Sequence, residues 1–197
     1  MSYKLYFKYG VMGSSKTAQA LMTKFNYEQQ GYKVLLLKPK IDNRYDINEK
    51  TVVKSRIGLE ADAYAFESSE NIRELFLEFN KTKNYGVIIV DECQFCTKEQ
   101  IEQLKSLIEF VPVFCYGLKT DFQSNLFEGS KRLLEIADSL TEIKSICECG
   151  RKAIINARFS NGKIVTNGSV VEIGGDDMYK PLCYECYKKY INDTINS

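Results

Sequence analysis

Residues 10–17 read G-V-M-G-S-S-K-T, a glycine-led loop ending in a cation and a hydroxyl. In such a loop the backbone N–H groups converge on phosphate oxygens, and a following helix adds the partial positive charge of its N-terminus. Lys16 has the reach for β- and γ-phosphates, and the Thr17 hydroxyl can ligate Mg²⁺. Gly10, Val11, Met12, Gly13, Ser14, Ser15, Lys16 and Thr17 are therefore the candidate phosphate contacts. Ser15 stands where the G-x-x-x-x-G-K-[ST] pattern has its second glycine, a place that asks for φ > 0 or a close approach of backbone to phosphate. The competing reading of these eight residues is a serine-rich turn capping a helix.

Two further groups could do chemistry. Asp91-Glu92 closes the apolar run G-V-I-I-V at 86–90. One carboxylate there can hold the hydration shell of Mg²⁺ and the other can serve as base, whereas the plainer reading has Asp91 capping the next turn. Cys147-Glu-Cys149 and Cys183-Tyr-Glu-Cys186 are two cysteine pairs flanking a turn-rich stretch, the pattern of a zinc ribbon with four thiolate ligands. The C-x-C pair is tighter than the usual C-x-x-C, and the alternative is four free or buried thiols. Cys93 and Cys96 also read C-x-x-C but have no partner pair, so they are taken as incidental. The chain contains no histidine. Acid–base chemistry near neutral pH then falls to carboxylates, Lys, Tyr or Cys, and any zinc site must be built from cysteines, with or without carboxylates.

Parallel α/β elements would position these groups. The apolar run 3–9 reads as a strand, the phosphate loop follows it, and a helix runs to about Gln30 before a buried strand at 33–37. That order is a βαβ unit with parallel strands. Residues 41–59 are polar and irregular and carry Asp42, Arg44, Lys54 and Arg56; a loop that long is usually functional or mobile. A short strand is expected at 61–66 and a helix at 69–80, with Ile72, Leu75, Phe76 and Phe79 on one face. The run at 86–90 is a fully buried strand. Thr97 and Gln100 form a capping box for a helix to about Phe110, a buried strand follows at 112–116, and a last helix is expected at 130–140. From Cys147 helical patterns stop, and Asn161-Gly162 and Asn167-Gly168 carry hairpin signatures. A boundary near Ile143 divides a domain at 1–143 from one at 144–197.

Composition narrows the class. A chain of 197 residues fits one domain plus an appendage. The formal charge of +1 gives no reason to expect nucleic acid as a partner. No apolar run has the length of a membrane span, and the first residues lack a signal-peptide layout, so no membrane partner is expected either. Seven cysteines without a secretory signal favour a reducing compartment, and a cytoplasmic location is expected.

The motifs together resemble the type II thymidine kinases, the cytosolic, zinc-containing kind, over nearly the full length. The matching segments are G-V-M-G-S-S-K-T, V-D-E-C-Q-F at 90–95, Y-G-L-K-T-D-F at 116–122, F-E-G-S at 127–130, I-G-G-D-D-M-Y at 173–179 and C-Y-E-C at 183–186. The resemblance implies an α/β fold: a RecA-like P-loop core with a mainly parallel sheet, plus a small C-terminal zinc-ribbon-like domain. It implies transfer of the ATP γ-phosphate to the 5′-hydroxyl of thymidine, with ATP, Mg²⁺ and Zn²⁺ as cofactors. Under it Glu92 matches the general base, while Lys16, Thr17, Asp91 and Gln94 match phosphate and Mg²⁺ contacts. Met12, Phe95, Leu118, Phe122, Phe127 and Tyr179 match the nucleoside-binding residues. Val170, Val171, Glu172 and Ile173 match a loop covering the nucleoside, and Gly174-Gly175 suits a lid that changes shape. Cys147, Cys149, Cys183 and Cys186 match the zinc ligands. A homotetramer inhibited by the end-product triphosphate dTTP is implied as well. Asn156 stands where the family commonly has a threonine in the substrate pocket.

Two rival readings stay open on the residues. D-E-C-Q at 91–94 also resembles the D-E-x-Q box of a RecA-like ATPase acting on nucleic acid, although 197 residues hold one such core and helicases normally need two. The other is a nucleotide-binding zinc-ribbon protein whose Ser15 has removed catalysis.

Overall fold

The computed structural model describes residues 2–43, 51–168 and 178–195. Strand β1 (Leu5–Tyr9) leads into the phosphate loop and helix α1 (Lys16–Gln29), and β2 is Lys33–Pro39. A short antiparallel hairpin follows, β3 (Val52–Lys54) with β4 (Glu60–Asp62), and then β5 (Tyr64–Phe66). Next come α2 (Ile72–Lys83), β6 (Tyr85–Val90), α3 (Lys98–Ser106), β7 (Val113–Gly117), α4 (Glu128–Ile136) and β8 (Ser139–Glu142). Six of these strands form one sheet in the order β5-β2-β6-β7-β1-β8, with parallel neighbours throughout. Strand β7 therefore separates the strand before the phosphate loop from the strand that ends in the acidic pair.

The buried strands are apolar on both faces because helices cover both. On β6, Ile88 and Val90 face a core built with Ile72 and Phe76 of α2, Ile101 and Leu104 of α3 and Leu133 of α4. Val87 and Ile89 face the opposite core with Ala20 and Leu21 of α1, Val53 of β3 and Ile143. The period of two along a strand thus sorts alternate residues into the two layers. All parallel strands point one way, so the phosphate loop and the acidic pair emerge at the same sheet edge.

The remaining chain forms a small three-stranded antiparallel sheet, β10-β9-β11, from β9 (Ile155–Ser160), β10 (Lys163–Val165) and β11 (Tyr179–Leu182), followed by helix α5 (Tyr184–Ile195). Asn161 (φ 49°) and Gly162 (φ 77°) make the tight turn between β9 and β10, as the Asn-Gly signature predicts. The second signature, Asn167-Gly168, lies at the border of the described residues, and whatever hairpin it opens lies outside them. The core of this unit is Cys147, Ala153, Ala157, Phe159, Ile164, Leu182 and Cys183, joined by Val11 of the phosphate loop.

Several element boundaries differ from the sequence reading. The loop at 41–59 contains β3, whose hairpin with β4 also divides the strand expected at 61–66 into two strands of different sheets. The helix expected to reach Leu140 ends at Ile136, and β8 follows as the sixth strand of the sheet. Its S-L-T-E sequence has no continuous apolar run because it is an edge strand, with Leu140 48% exposed. Helix α5 contradicts the expectation that helical patterns stop at Cys147. Cys186, Tyr187, Tyr190 and Ile191 pack on the small core at helical spacing, a signal the metal-like C-x-x-C reading hid.

Candidate functional site

The phosphate loop is shaped by its two glycines and by Ser15. A Cβ on Gly10 would lie 2.4 Å from the Ile143 carbonyl oxygen and 2.4 Å from Ser14 Oγ, so only glycine allows this approach. Gly13 (φ 73°) and Ser15 (φ 61°) both take the left-handed conformation. The place where the pattern expects glycine does require φ > 0, and Ser15 adopts it with its Cβ in strain. The Lys16 Nζ donates to the Val11 carbonyl at 2.8 Å and to Ser14 Oγ at 3.3 Å. Burial pushes the Lys16 amine down to about 8, against the opposing attraction of Glu92 and Asp91. The Lys16 side chain therefore sits at the convergence of loop and acidic pair.

Asp91 is 4% exposed, and burial, followed by the neighbouring charge of Glu92, pushes its carboxyl up to about 7. It also accepts a hydrogen bond from the Thr17 side chain, which joins the two residues expected around Mg²⁺. Glu92 has φ 53°, a strained conformation at the start of the 3-10 turn Cys93–Phe95. Gln94 holds it there. The Gln94 Nε2 donates to Glu92 Oε2 at 2.6 Å, and its Oε1 accepts from the Leu118 N–H at 3.0 Å. The amide lies over Gly117, where a Cβ would be 2.6 Å from Gln94 Oε1. Both ends of the Gln94 amide thus link the acidic turn to the loop after β7. Behind this turn Cys93, Cys96 and Cys115 are core residues, and burial first of all raises the Cys93 and Cys96 thiols well above the ordinary range. Their C-x-x-C spacing serves packing.

The loop from Leu118 to Phe127 carries the nucleoside candidates. Asp121 braces it from inside: one carboxylate oxygen accepts from the N–H groups of Gln123 and Asn125 at 2.8 and 2.9 Å. Ser130 of α4 donates to the Leu118 carbonyl. The Phe95 and Phe127 rings meet edge to face at 5.7 Å. Phe122 is 2% exposed, and the Arg158 guanidinium of β9 lies 4.0 Å above its ring centre. Arg158 pairs across the small sheet with Tyr179. Asn156, also on β9, accepts from the Met12 N–H at 2.7 Å and donates to the Thr120 carbonyl at 2.8 Å. Phe95 thus touches Phe127, Leu118 is tied to the acidic turn through Gln94, Asn156 joins Met12 to the loop of Phe122, and Tyr179 stands opposite Arg158 in the small sheet. Val170, Val171, Glu172, Ile173 and Gly174-Gly175 lie outside the described residues.

Arg56 and Arg158 were not singled out as site residues from the sequence. Arg56 sits in the turn of the β3–β4 hairpin, with a guanidinium nitrogen 3.9 Å from where a Cβ on Gly13 would stand. Its charge opposes that of Lys16, after the larger effects of burial, Glu92 and Asp91, and the guanidinium thus lies beside the phosphate loop. The only signal was its place in a long polar loop. Arg158 alternates with apolar residues on a buried strand, and nothing local marks its ring partner.

The four cysteines of the two pairs come together, with all Sγ atoms within 4.8 Å of one another. Cys149 and Cys183 sulfurs are 3.6 Å apart, and tetrahedral zinc with Zn–S of about 2.3 Å places sulfurs about 3.8 Å apart. The donor set fits zinc. The C-x-C pair closes because Gly150 (φ 82°) turns the chain, its N–H bonding the Cys147 carbonyl at 2.8 Å while the Cys147 N–H bonds the Arg151 carbonyl at 2.7 Å.

The family model described as thymidine kinase matches residues 3–187. A thymidine kinase of Shewanella oneidensis is 41% identical over 193 residues, covering 96% of this chain and 99% of that protein. One from Vibrio vulnificus is 42% identical over 189 residues (94% of this chain and 97% of that one). One from Legionella pneumophila is 44% identical over 190 residues (94% and 90%). Among solved structures, Pif1 helicase from Candida albicans matches with a TM-score of 0.43 and 12% identity, over 74% of this chain and 36% of that one. That likeness is too slight to bear on function. The full-length sequence matches do bear on it: the chain belongs to the thymidine kinase family.

Proposed function

We propose that this protein is a thymidine kinase, transferring the γ-phosphate of ATP to the 5′-hydroxyl of thymidine to give dTMP for nucleotide salvage and DNA synthesis. The observation that carries the reading is the convergence of Lys16, Thr17, Asp91 and Glu92 at one sheet edge, in a chain that matches this family from residue 3 to residue 187. Phosphoryl transfer needs positioning and positive charge more than covalent chemistry. Lys16 and the backbone amides of the loop hold the transferred phosphate, and Arg56 adds a second cation from the hairpin turn. Thr17 and Asp91 would hold Mg²⁺, which would supply neutralisation of phosphate charge. Glu92, held by Gln94, takes the proton of the 5′-hydroxyl as it attacks; in a chain without histidine a carboxylate base is the natural choice. Met12, Phe95, Leu118, Phe122, Phe127 and Tyr179 form the nucleoside pocket, with residues 170–173 as its cover.

Cys147, Cys149, Cys183 and Cys186 would hold one structural zinc ion, tying together the two ends of the small domain at 144–197 that follows the P-loop domain at 1–143. Among the described residues no helix is long and apolar enough to cross a membrane, and a cytoplasmic location goes with the proposed activity. A homotetramer inhibited by dTTP is the proposed form, on the family resemblance. The test is a nucleoside panel with ATP and Mg²⁺, scored for monophosphate products. Thymidine and deoxyuridine are expected to be phosphorylated and purine nucleosides not, and equal rates on deoxyadenosine would overturn the assignment.

A further inference from the structure

The Asn156 carboxamide stands between the two halves of the site. It is 2% exposed and belongs to β9 of the small domain, yet neither of its partners does. Its Oδ1 accepts from the Met12 N–H in the phosphate loop at 2.7 Å, and its Nδ2 donates to the Thr120 carbonyl, in the loop that carries Leu118 and Phe122, at 2.8 Å. The orientation of the amide is unambiguous, since only the oxygen can accept and only the nitrogen can donate. A buried amide engaged at both ends is a strut of fixed length. Met12 and Thr120 are otherwise on separate loops of the parallel sheet, one after β1 and one after β7. Val11, next to Met12, is buried in the small-domain core, so that core and the strut hold the same stretch of phosphate loop.

We infer that Asn156 is a positioning residue that couples the nucleotide and nucleoside subsites, so that filling one preorganises the other. The inference rests on the proposed placement of thymidine against the loop of Leu118 and Phe122. A nucleoside seated against that loop, which Asp121 already braces, restrains the Thr120 carbonyl further, the strut transmits this to the Met12 N–H, and the phosphate loop loses less freedom when nucleotide binds. By linkage the effect is reciprocal. A threonine at this position carries one hydroxyl on a shorter stem and cannot span the same two partners as an amide does.

The test uses the full-length, zinc-loaded protein and calorimetric titration of ADP with Mg²⁺, with and without saturating thymidine, and the reverse titration. In the unmodified protein thymidine should tighten ADP binding on the order of tenfold, and ADP should tighten thymidine equally. Asn156→Leu, which keeps volume and loses both bonds, should bring the ratio close to one. Asn156→Thr should leave an intermediate ratio and decides the matter if the leucine variant does not fold. A merely structural role would lower the melting temperature of these variants while leaving the ratio intact. An unmodified protein without coupling, or variants that keep the full ratio, would overturn the inference. Phe122→Ala separates the two levels. If it leaves thymidine affinity unchanged, the pocket assignment falls and the coupling with it. If it weakens thymidine while the Asn156 variants keep their ratio, only the coupling falls.

Discussion

Two strained residues, Ser15 and Glu92, mark the chemistry, each a non-glycine residue held at positive φ. Relief of strain at Ser15 has no evident penalty, because its side chain makes no capping bond to α1. Ser15→Gly should therefore raise stability by about 1 kcal/mol, read from urea unfolding, with activity retained. A large loss of activity would instead show that the serine side chain makes a contact of its own. Glu92→Gln should lower kcat by about 10²-fold or more with the ADP dissociation constant nearly unchanged. Turnover near that of the unmodified protein would remove Glu92 as base. Asp91 predicts a pH dependence of opposite sign to the common carboxylate. Its folded pKa, near 7, lies above the unfolded value, so its contribution is fully present below about pH 4 and is lost as pH rises through about 7. Lys16 changes protonation only near 8 and above, outside that window. In ligand-free protein the stability of Asp91→Asn relative to the unmodified chain should rise between pH 4 and 7 by a few kcal/mol, followed by chemical denaturation. A flat difference would show that Asp91 is ionised throughout.

At the scale of elements, the acidic turn is placed by what packs behind it. Helix α4 approaches the Cys93–Phe95 turn so closely that a Cβ on Gly129 would stand 2.6 Å from the Cys93 carbonyl oxygen and 2.7 Å from that of Cys96. Gly129→Ala should cost about 1–3 kcal/mol of stability, and because it displaces the turn that begins at Glu92 it should lower kcat at least tenfold with ATP affinity little changed. Unchanged kcat in a folded variant would mean that the turn tolerates the shift. The capping box at Thr97 and Gln100 was legible in the sequence, and both of its bonds are present. The approach of Gly129 was not, since the F-E-G-S segment is remote in sequence from Cys93 and only the packing of α4 brings them together.

For the whole molecule, the proposed zinc ion is what ties the small domain to itself, and the small domain supplies Asn156, Arg158 and Tyr179 to the nucleoside side of the site. Removing the metal with a chelator under reducing conditions should release about one zinc per chain and weaken thymidine binding much more than ATP binding. The phosphate loop lies mainly in the parallel domain and should outlast the ribbon. Metal analysis that finds no zinc in protein prepared without chelator would sink this prediction. Equal loss of both ligands would show that Val11, buried in the small-domain core, carries the damage into the phosphate loop.

The sequence by itself determined what local chemistry dictates. A glycine-led loop behind an apolar strand, an acidic pair at a strand end, two cysteine pairs and an Asn-Gly turn each carry their meaning within a few residues, and so the βαβ frame, the meeting of the glycine-led loop with the acidic pair and the gathering of the four cysteines were all readable. Tertiary structure decided the rest. β8 is an edge strand with little apolar signal, α5 shares its residues with a metal motif, and the strand at 61–66 divides because two sheets claim its halves. The Gln94 clamp, the Asn156 strut and the Arg158–Phe122 stack join residues far apart in the chain. Their energies depend on burial and distance, which arise only when the sheets and helices pack, and no periodicity along the chain records them.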